Sequence, residues 1–182
     1  ASLAGHQELG NLIVFYDANQ ISIEGETDIA FSEDVSARYE SYGWDVHTID
    51  FGSQDNYSED VDAVMSAITA AKKETGKPSL ITIKTVIGWP APTKQNTGKI
   101  HGSALGGDEV AGVKKVLGMN PEESFVVPTD VIERTRGLRD RSSEHRAEWN
   151  QRFEAWQGAN PEAAALLARL QAQELPDLES VL

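Results

Sequence analysis

Two short segments carry residue types able to do chemistry. In the first, Asp17, Asn19 and the backbone carbonyl of Ile21 occupy alternate positions, and alternate positions on extended backbone point the same way. An Asn amide oxygen and a main-chain carbonyl are hard oxygen donors suited to Mg2+ or Ca2+, but two neutral oxygens do not hold such an ion alone. The same pattern also fits an Asx turn closing a strand. In the second segment, His101 sits among glycines in a long loop. There it can donate to phosphate oxygens or a substrate hydroxyl, or simply face water.

Other chemistries are excluded. The chain has no cysteine, which removes disulfides, thiolate metal sites and thiol nucleophiles. His6, His47 and His145 are scattered; no HExxH pair, P-loop or G-x-S-x-G elbow occurs. His47 falls in a strand and His145 on a charged helix, both read as structural or solvent-facing, while His6 at a helix end is ambiguous. Leu105-Gly106-Gly107 is too short to cradle a phosphate.

These segments need a frame. The 182 residues carry 29 acids against 16 bases, a net charge of −13, which repels a phosphate backbone and argues against nucleic acid. Residues 1–62 alone hold 14 acids and only Arg38 as a base. No apolar run approaches the roughly 20 residues that span a bilayer, and no leader pattern is present. Asn11–Tyr16, Trp44–Ile49 and Ser79–Thr85 read as strands. Between them a helix capped by Asp34 ends at Gly43, and another opens at Ser58 and closes at Gly76. Strand and helix alternate, the signature of a parallel sheet, whose ligands bind beyond the carboxyl ends of the strands. Both chemical segments lie there: Asp17–Ile23 and Val86–Leu105. A loop as long as Gly88–Gly102 is functional or disordered. Asp108 then caps a helix stopped by Gly118. Thr129 caps a long helix to about Trp156, and Pro161 starts another. The expected division is an α/β domain over 1–128 and a helical extension over 129–182.

Taken together the segments resemble transketolases, in the second part of the diphosphate-binding domain. The matching words are Ser2-Leu3-Ala4-Gly5-His6, Leu12 through Gly25 (LIVFYDANQISIEG), Glu33 through Trp44, Lys77-Pro78-Ser79-Leu80-Ile81, Thr85-Val86-Ile87-Gly88 and His101-Gly102-Ser103-Ala104-Leu105-Gly106. They are collinear over residues 1 to about 118.

The resemblance implies a cytoplasmic enzyme of the pentose phosphate pathway. It would use thiamine diphosphate and a divalent cation (Mg2+ or Ca2+) to move a two-carbon ketol unit from a ketose phosphate to an aldose phosphate. It implies that Asn19 and the Ile21 carbonyl bind the metal, with Asn19 near the diphosphate as well. Ile23 and Ile87 would pack on the thiazolium side, and His101 would contact the diphosphate and lie near the substrate's reacting carbons. The family often has two acids before the Asn; here the second is Ala18. The family's Gly-Asp-Gly, which brings the carboxylate ligand, belongs before Ala1, so the expectation is a fragment. The second subunit of a homodimer would complete its site, and it would be inactive and poorly stable or self-associating by itself. Phosphoketolases and dihydroxyacetone synthases share this half-site. A non-catalytic acidic α/β module that binds a partner protein is the reading of a different class.

Overall fold

The computed structural model describes residues 1–175; residues 176–182 of the expected helical extension lie outside them. Three strands, β1 (Ile13–Ala18), β2 (Asp45–Asp50) and β3 (Ser79–Lys84), form a parallel sheet in the order β1-β3-β2. The parallel sheet with flanking helices and a helical tail is as the strand–helix alternation predicts. Six α-helices accompany it among the described residues: α1 (Ser2–His6), α2 (Val35–Ser41), α3 (Val61–Lys73), α4 (Gly107–Val116), α5 (Thr129–Ala159) and α6 (Pro161–Gln171).

The strand order dictates where the helices go. The β1→β2 crossover skips a strand position, and β2→β3 turns back. Right-handed connections running in opposite directions place their helices on opposite faces. Side-chain contacts agree. Ala67 and Ala71 of α3 pack on Ile49 and Ile81, joined by Ile13 and Ile83. On the other face, Ser36 of α2 brings its hydroxyl within 3.1 Å of Thr82 Oγ1 and 3.5 Å of Thr48 Oγ1. Central β3 is buried from Ser79 through Thr82, which is why its sequence lacks a polar alternation. The α3 face is therefore the apolar core. The α2 face is polar, and Tyr16, Thr48, Thr82 and Lys84 line a cavity of about 900 Å3 there.

Several boundaries differ from expectation for local reasons. β1 starts and ends two residues later than predicted, at Ile13 and Ala18, because pairing with β3 continues to Ala18↔Lys84. Asp34 caps α2 as expected, accepting from the Ala37 amide at 3.0 Å. Ser58 does not open α3: its amide donates to the Phe51 carbonyl at 2.8 Å, and Asp60 caps instead, accepting from the Ala63 amide at 2.8 Å. α3 ends at Lys73, ahead of Gly76. Asp108 is not a cap either. Gly106 holds the cap position at φ +87°, leaving Asp108 and Glu109 in the first turn of α4, where the helix dipole favours acids. Pro128 takes the cap position of α5, so Thr129 is already helical, and the helix runs past Trp156 to Ala159.

Residues 1–124 form one compact unit, and residues 125–175 belong to a second. In the first, α1 is pinned where the Trp44 indole donates to the Ala1 carbonyl at 2.9 Å. In the second, α5 packs against α6. Along α5, Trp149, Phe153 and Trp156 stack with centroids 4.8 and 5.6 Å apart, and the Arg146 guanidinium lies 4.8 Å from the Trp149 ring.

Candidate functional site

Beyond Ala18 the chain bends at Gln20, whose φ is +61°. Asn19 Oδ1 accepts from the Ile21 amide at 3.0 Å, and Asn19 Nδ2 donates to Asp17 Oδ2 at 3.4 Å. The Asx turn is thus real. It does not exhaust the amide oxygen, which retains a second lone pair.

Ile21 forms an isolated antiparallel bridge with Glu26. The bonds that make it flank the pair: the Thr27 amide donates to Gln20 O at 3.0 Å and the Ser22 amide to Gly25 O at 2.7 Å. In such a pair the bridging residue turns its own N–H and C=O away from its partner. The N–H goes to Asn19 Oδ1, so the Ile21 carbonyl lies on the edge that faces the Asn19 amide oxygen. Both hard oxygen donors share one edge. Ile21 itself is buried, while Ile23, at the tip of the Ser22–Gly25 turn, is 68% exposed.

The 88–102 loop is folded. Trp89 packs on Tyr57 with centroids 4.8 Å apart; burial pushes the Tyr57 hydroxyl up in pKa, helped by the charges of Glu59 and Asp17. The Ile87 carbonyl accepts from the Asn96 amide at 2.9 Å. The Glu109 carboxylate, buried, accepts from the Thr93 hydroxyl and from the Thr93 amide at 3.1 Å. That hydroxyl bond leads in holding its carboxyl below the usual range, with the Lys94 charge assisting and burial opposing. Lys94 Nζ donates to the carbonyls of Ala104 at 3.2 Å and Leu105 at 2.6 Å. The His101 amide donates to Gly98 O at 3.1 Å, closing a 3-10 turn over Gly98–Ile100. The His101 side chain is exposed.

The two segments meet. A methyl group on Gly98 would lie 2.7 Å from the Ile23 carbonyl, so the loop backbone rests directly on the Ser22–Gly25 turn. Asn96 lines the large cavity with Asn19, and a smaller one of about 150 Å3 with Ile21 and Glu26. His101, Ile23 and Ile87 line neither. Thr85, Lys84 and Asp50 also stand at this edge and were not singled out by sequence. The Thr85 hydroxyl donates to Asp17, and Lys84 Nζ lies 3.3 Å from Asp50 Oδ2. The Gly52 amide, then Lys84, hold the Asp50 carboxyl low. Only parallel register joins residues this far apart in sequence. Among the described residues no three His, Asp or Glu side chains gather to hold a metal. Asn19 Oδ1 and Ile21 O are neutral, hard oxygen donors of the kind a divalent cation prefers.

Fold and site define an α/β domain that gathers its polar groups beyond the carboxyl ends of parallel strands, where such folds bind ligands. The family model described as the transketolase thiamine diphosphate binding domain matches residues 1–176, and the chain belongs to that family. It is 53% identical to a transketolase of Mycobacterium leprae and 44% identical to one of Nostoc, each over 97% of this chain. It spans about a quarter of the length of these relatives. A Pichia stipitis transketolase structure with fructose-6-phosphate matches over 97% of this chain and 25% of its own, at 42% identity and TM-score 0.80. A Leishmania mexicana transketolase matches with the same coverage, at 34% identity and TM-score 0.81.

Proposed function

We propose that this chain supplies the metal-and-diphosphate wall of a transketolase site. The observation that carries the proposal is the shared edge of Asn19 Oδ1 and the Ile21 carbonyl, abutting the loop that bears His101. These two oxygens would hold a divalent cation, Mg2+ or Ca2+. A carboxylate from outside the described residues and the diphosphate oxygens would complete its shell. Ile23 and Ile87 would flank the thiazolium ring. His101, exposed on its turn, would donate to the diphosphate and to the substrate near its reacting carbons. Bound thiamine diphosphate supplies the carbanion chemistry. The substrates would be a ketose phosphate donor and an aldose phosphate acceptor, and a second subunit of a homodimer would close the site. Residues 1–128 would be the diphosphate-binding part and 129–182 the passage to a pyrimidine-binding domain. The enzyme would be cytoplasmic; among the described residues no helix is long and apolar enough to cross a membrane.

The test is ketol transfer by the full-length protein carrying this sequence, with thiamine diphosphate and Mg2+ and a panel of donors. Transfer from ketose phosphates, weakened by Asn19→Ala and His101→Ala, is expected. The 182-residue chain alone should give no product; product from it would refute the partial-wall reading. A donor range confined to phosphate-dependent cleavage would point to a phosphoketolase.

A further inference from the structure

We propose that Lys94 is a positioning residue for His101, with Thr93 and Glu109 fixing Lys94 in place; the proposal rests on the role given to His101 above. Residues 95–103 form a loop with His101 on its outer arm. The loop's base is closed by one side chain. Lys94 Nζ reaches across to the carbonyls of Ala104 and Leu105, so residues on both sides of His101 are tied at a single ammonium group. The arm needs such a tie, because Gly102 and Gly106 both take positive φ, at +73° and +87°, and glycine leaves the backbone free to turn there. The near arm is fixed as well: the Thr97 hydroxyl donates to the Lys94 carbonyl at 2.7 Å.

Lys94 in turn needs an anchor, and Glu109 provides it. This residue is 8% exposed, a costly position for a carboxylate unless fully hydrogen-bonded. It accepts from both the amide and the hydroxyl of Thr93. Gly112, one turn further along α4, lets Pro92 approach to where a methyl group would lie 2.3 Å from Pro92 Cγ. The residues before Lys94 are thereby clamped to a helix, and Lys94 extends from that clamp. None of these groups need touch a ligand. Their effect is on where the imidazole stands, and a displacement of about 1 Å in a catalytic group can cost about 100-fold in rate.

A double-mutant cycle in the full-length protein tests this. Lys94→Met, His101→Ala and the pair are compared by kcat/KM for ketol transfer and by thiamine diphosphate affinity. With His101 present, Lys94→Met should lower kcat/KM by about 10- to 100-fold. In the His101→Ala background it should change kcat/KM by no more than about twofold, the scatter of independent sites. Lys94→Arg should restore most of the loss. An equal loss in both backgrounds overturns the positioning role and leaves the function of His101 standing. A silent His101→Ala overturns the role of His101 and the positioning with it. Should Lys94→Met fail to fold, Thr93→Val, which removes one hydroxyl bond to Glu109, takes its place in the same cycle. A loss confined to the His101 background then supports the positioning role, and an equal loss in both backgrounds overturns it.

Discussion

The Ile21 amide nitrogen lies 3.0 Å from Asn19 Oδ1 and donates to it. This bond fixes the edge on which the Ile21 carbonyl stands, and so joins two donors that sequence could place only on alternate positions. Asn19→Ala should weaken the turn by about 0.5–1.5 kcal/mol, the usual net worth of one hydrogen bond. Hydrogen exchange at the Ile21 amide should quicken accordingly, with the Ile81 amide in the sheet unchanged. In the full-length protein the same variant should lower Ca2+ affinity, read by titration with the cofactor present. Unaltered Ca2+ affinity would remove Asn19 from the metal shell.

The core prediction concerns Ile81. Its side chain is fully buried at the centre of the sheet, beneath Ala67 and Ala71 of α3. Ile81→Ala should cost about 2–5 kcal/mol, from lost transfer energy and the cavity left behind. Ile29 is 91% exposed, and Ile29→Ala should fall within about 0.5 kcal/mol. Urea denaturation of the two variants measures the contrast, and equal midpoints would contradict the packing described.

Asp60, rather than Ser58, caps α3. Asp60→Ala should therefore cost about 1 kcal/mol. Ser58→Ala should be near neutral, because Ser58 contributes its backbone amide to the turn after β2 and the variant keeps that amide. Paired thermal melts decide which residue begins the helix.

These cases show what was readable from sequence. An apolar run located β1 and an apolar–polar alternation located β2, and the order of strands and helices gave the parallel arrangement, since these are local signals. The cap of α3 was missed because Ser58 and Asp60 are equally good cap types, and the choice depends on a bond to Phe51 across the turn. The spacing of Asp17, Asn19 and Ile21 marked the turn but not its direction, which the bridge to Glu26 decides. Thr85 and Asp17 are joined only through the register of β1 on β3. Glu109 reads as an ordinary first-turn acid of α4, and nothing in its own neighbourhood announces that Thr93 will bury it. Long-range pairing between loop and helix carries no periodicity, so this part of the site becomes visible only in three dimensions.

The pH response of that pairing has a definite sign. The Thr93 hydroxyl bond holds the folded Glu109 carboxyl below its ordinary value of 4.5. A group depressed on folding contributes stability above its unfolded value and loses it as pH falls through the folded one. The loop's attachment to α4 should thus be intact near neutrality and weaken on acidification below about 4.5. The protection of the Thr93 amide against exchange, taken relative to its intrinsic rate at each pH, should fall there. Glu109→Gln should flatten the profile, whereas an unchanged profile would assign the transition to another carboxylate.

Gly98 tests the contact between the two site segments. Its backbone rests on the Ser22–Gly25 turn, with 2.7 Å from a would-be methyl group to the Ile23 carbonyl and 3.1 Å to the Ser22 carbonyl. Both obstacles are backbone, so neither can swing aside as a flexible side chain would. Gly98→Ala must therefore push the turn and the His101 loop apart, at about 1–3 kcal/mol. Gly107, at the start of α4, has open space around it, so Gly107→Ala should leave stability unchanged or raise it slightly. In the full-length protein, Gly98→Ala should lower thiamine diphosphate affinity and Gly107→Ala should not. Equal affinities would mean that the meeting of turn and loop is not needed for the cofactor.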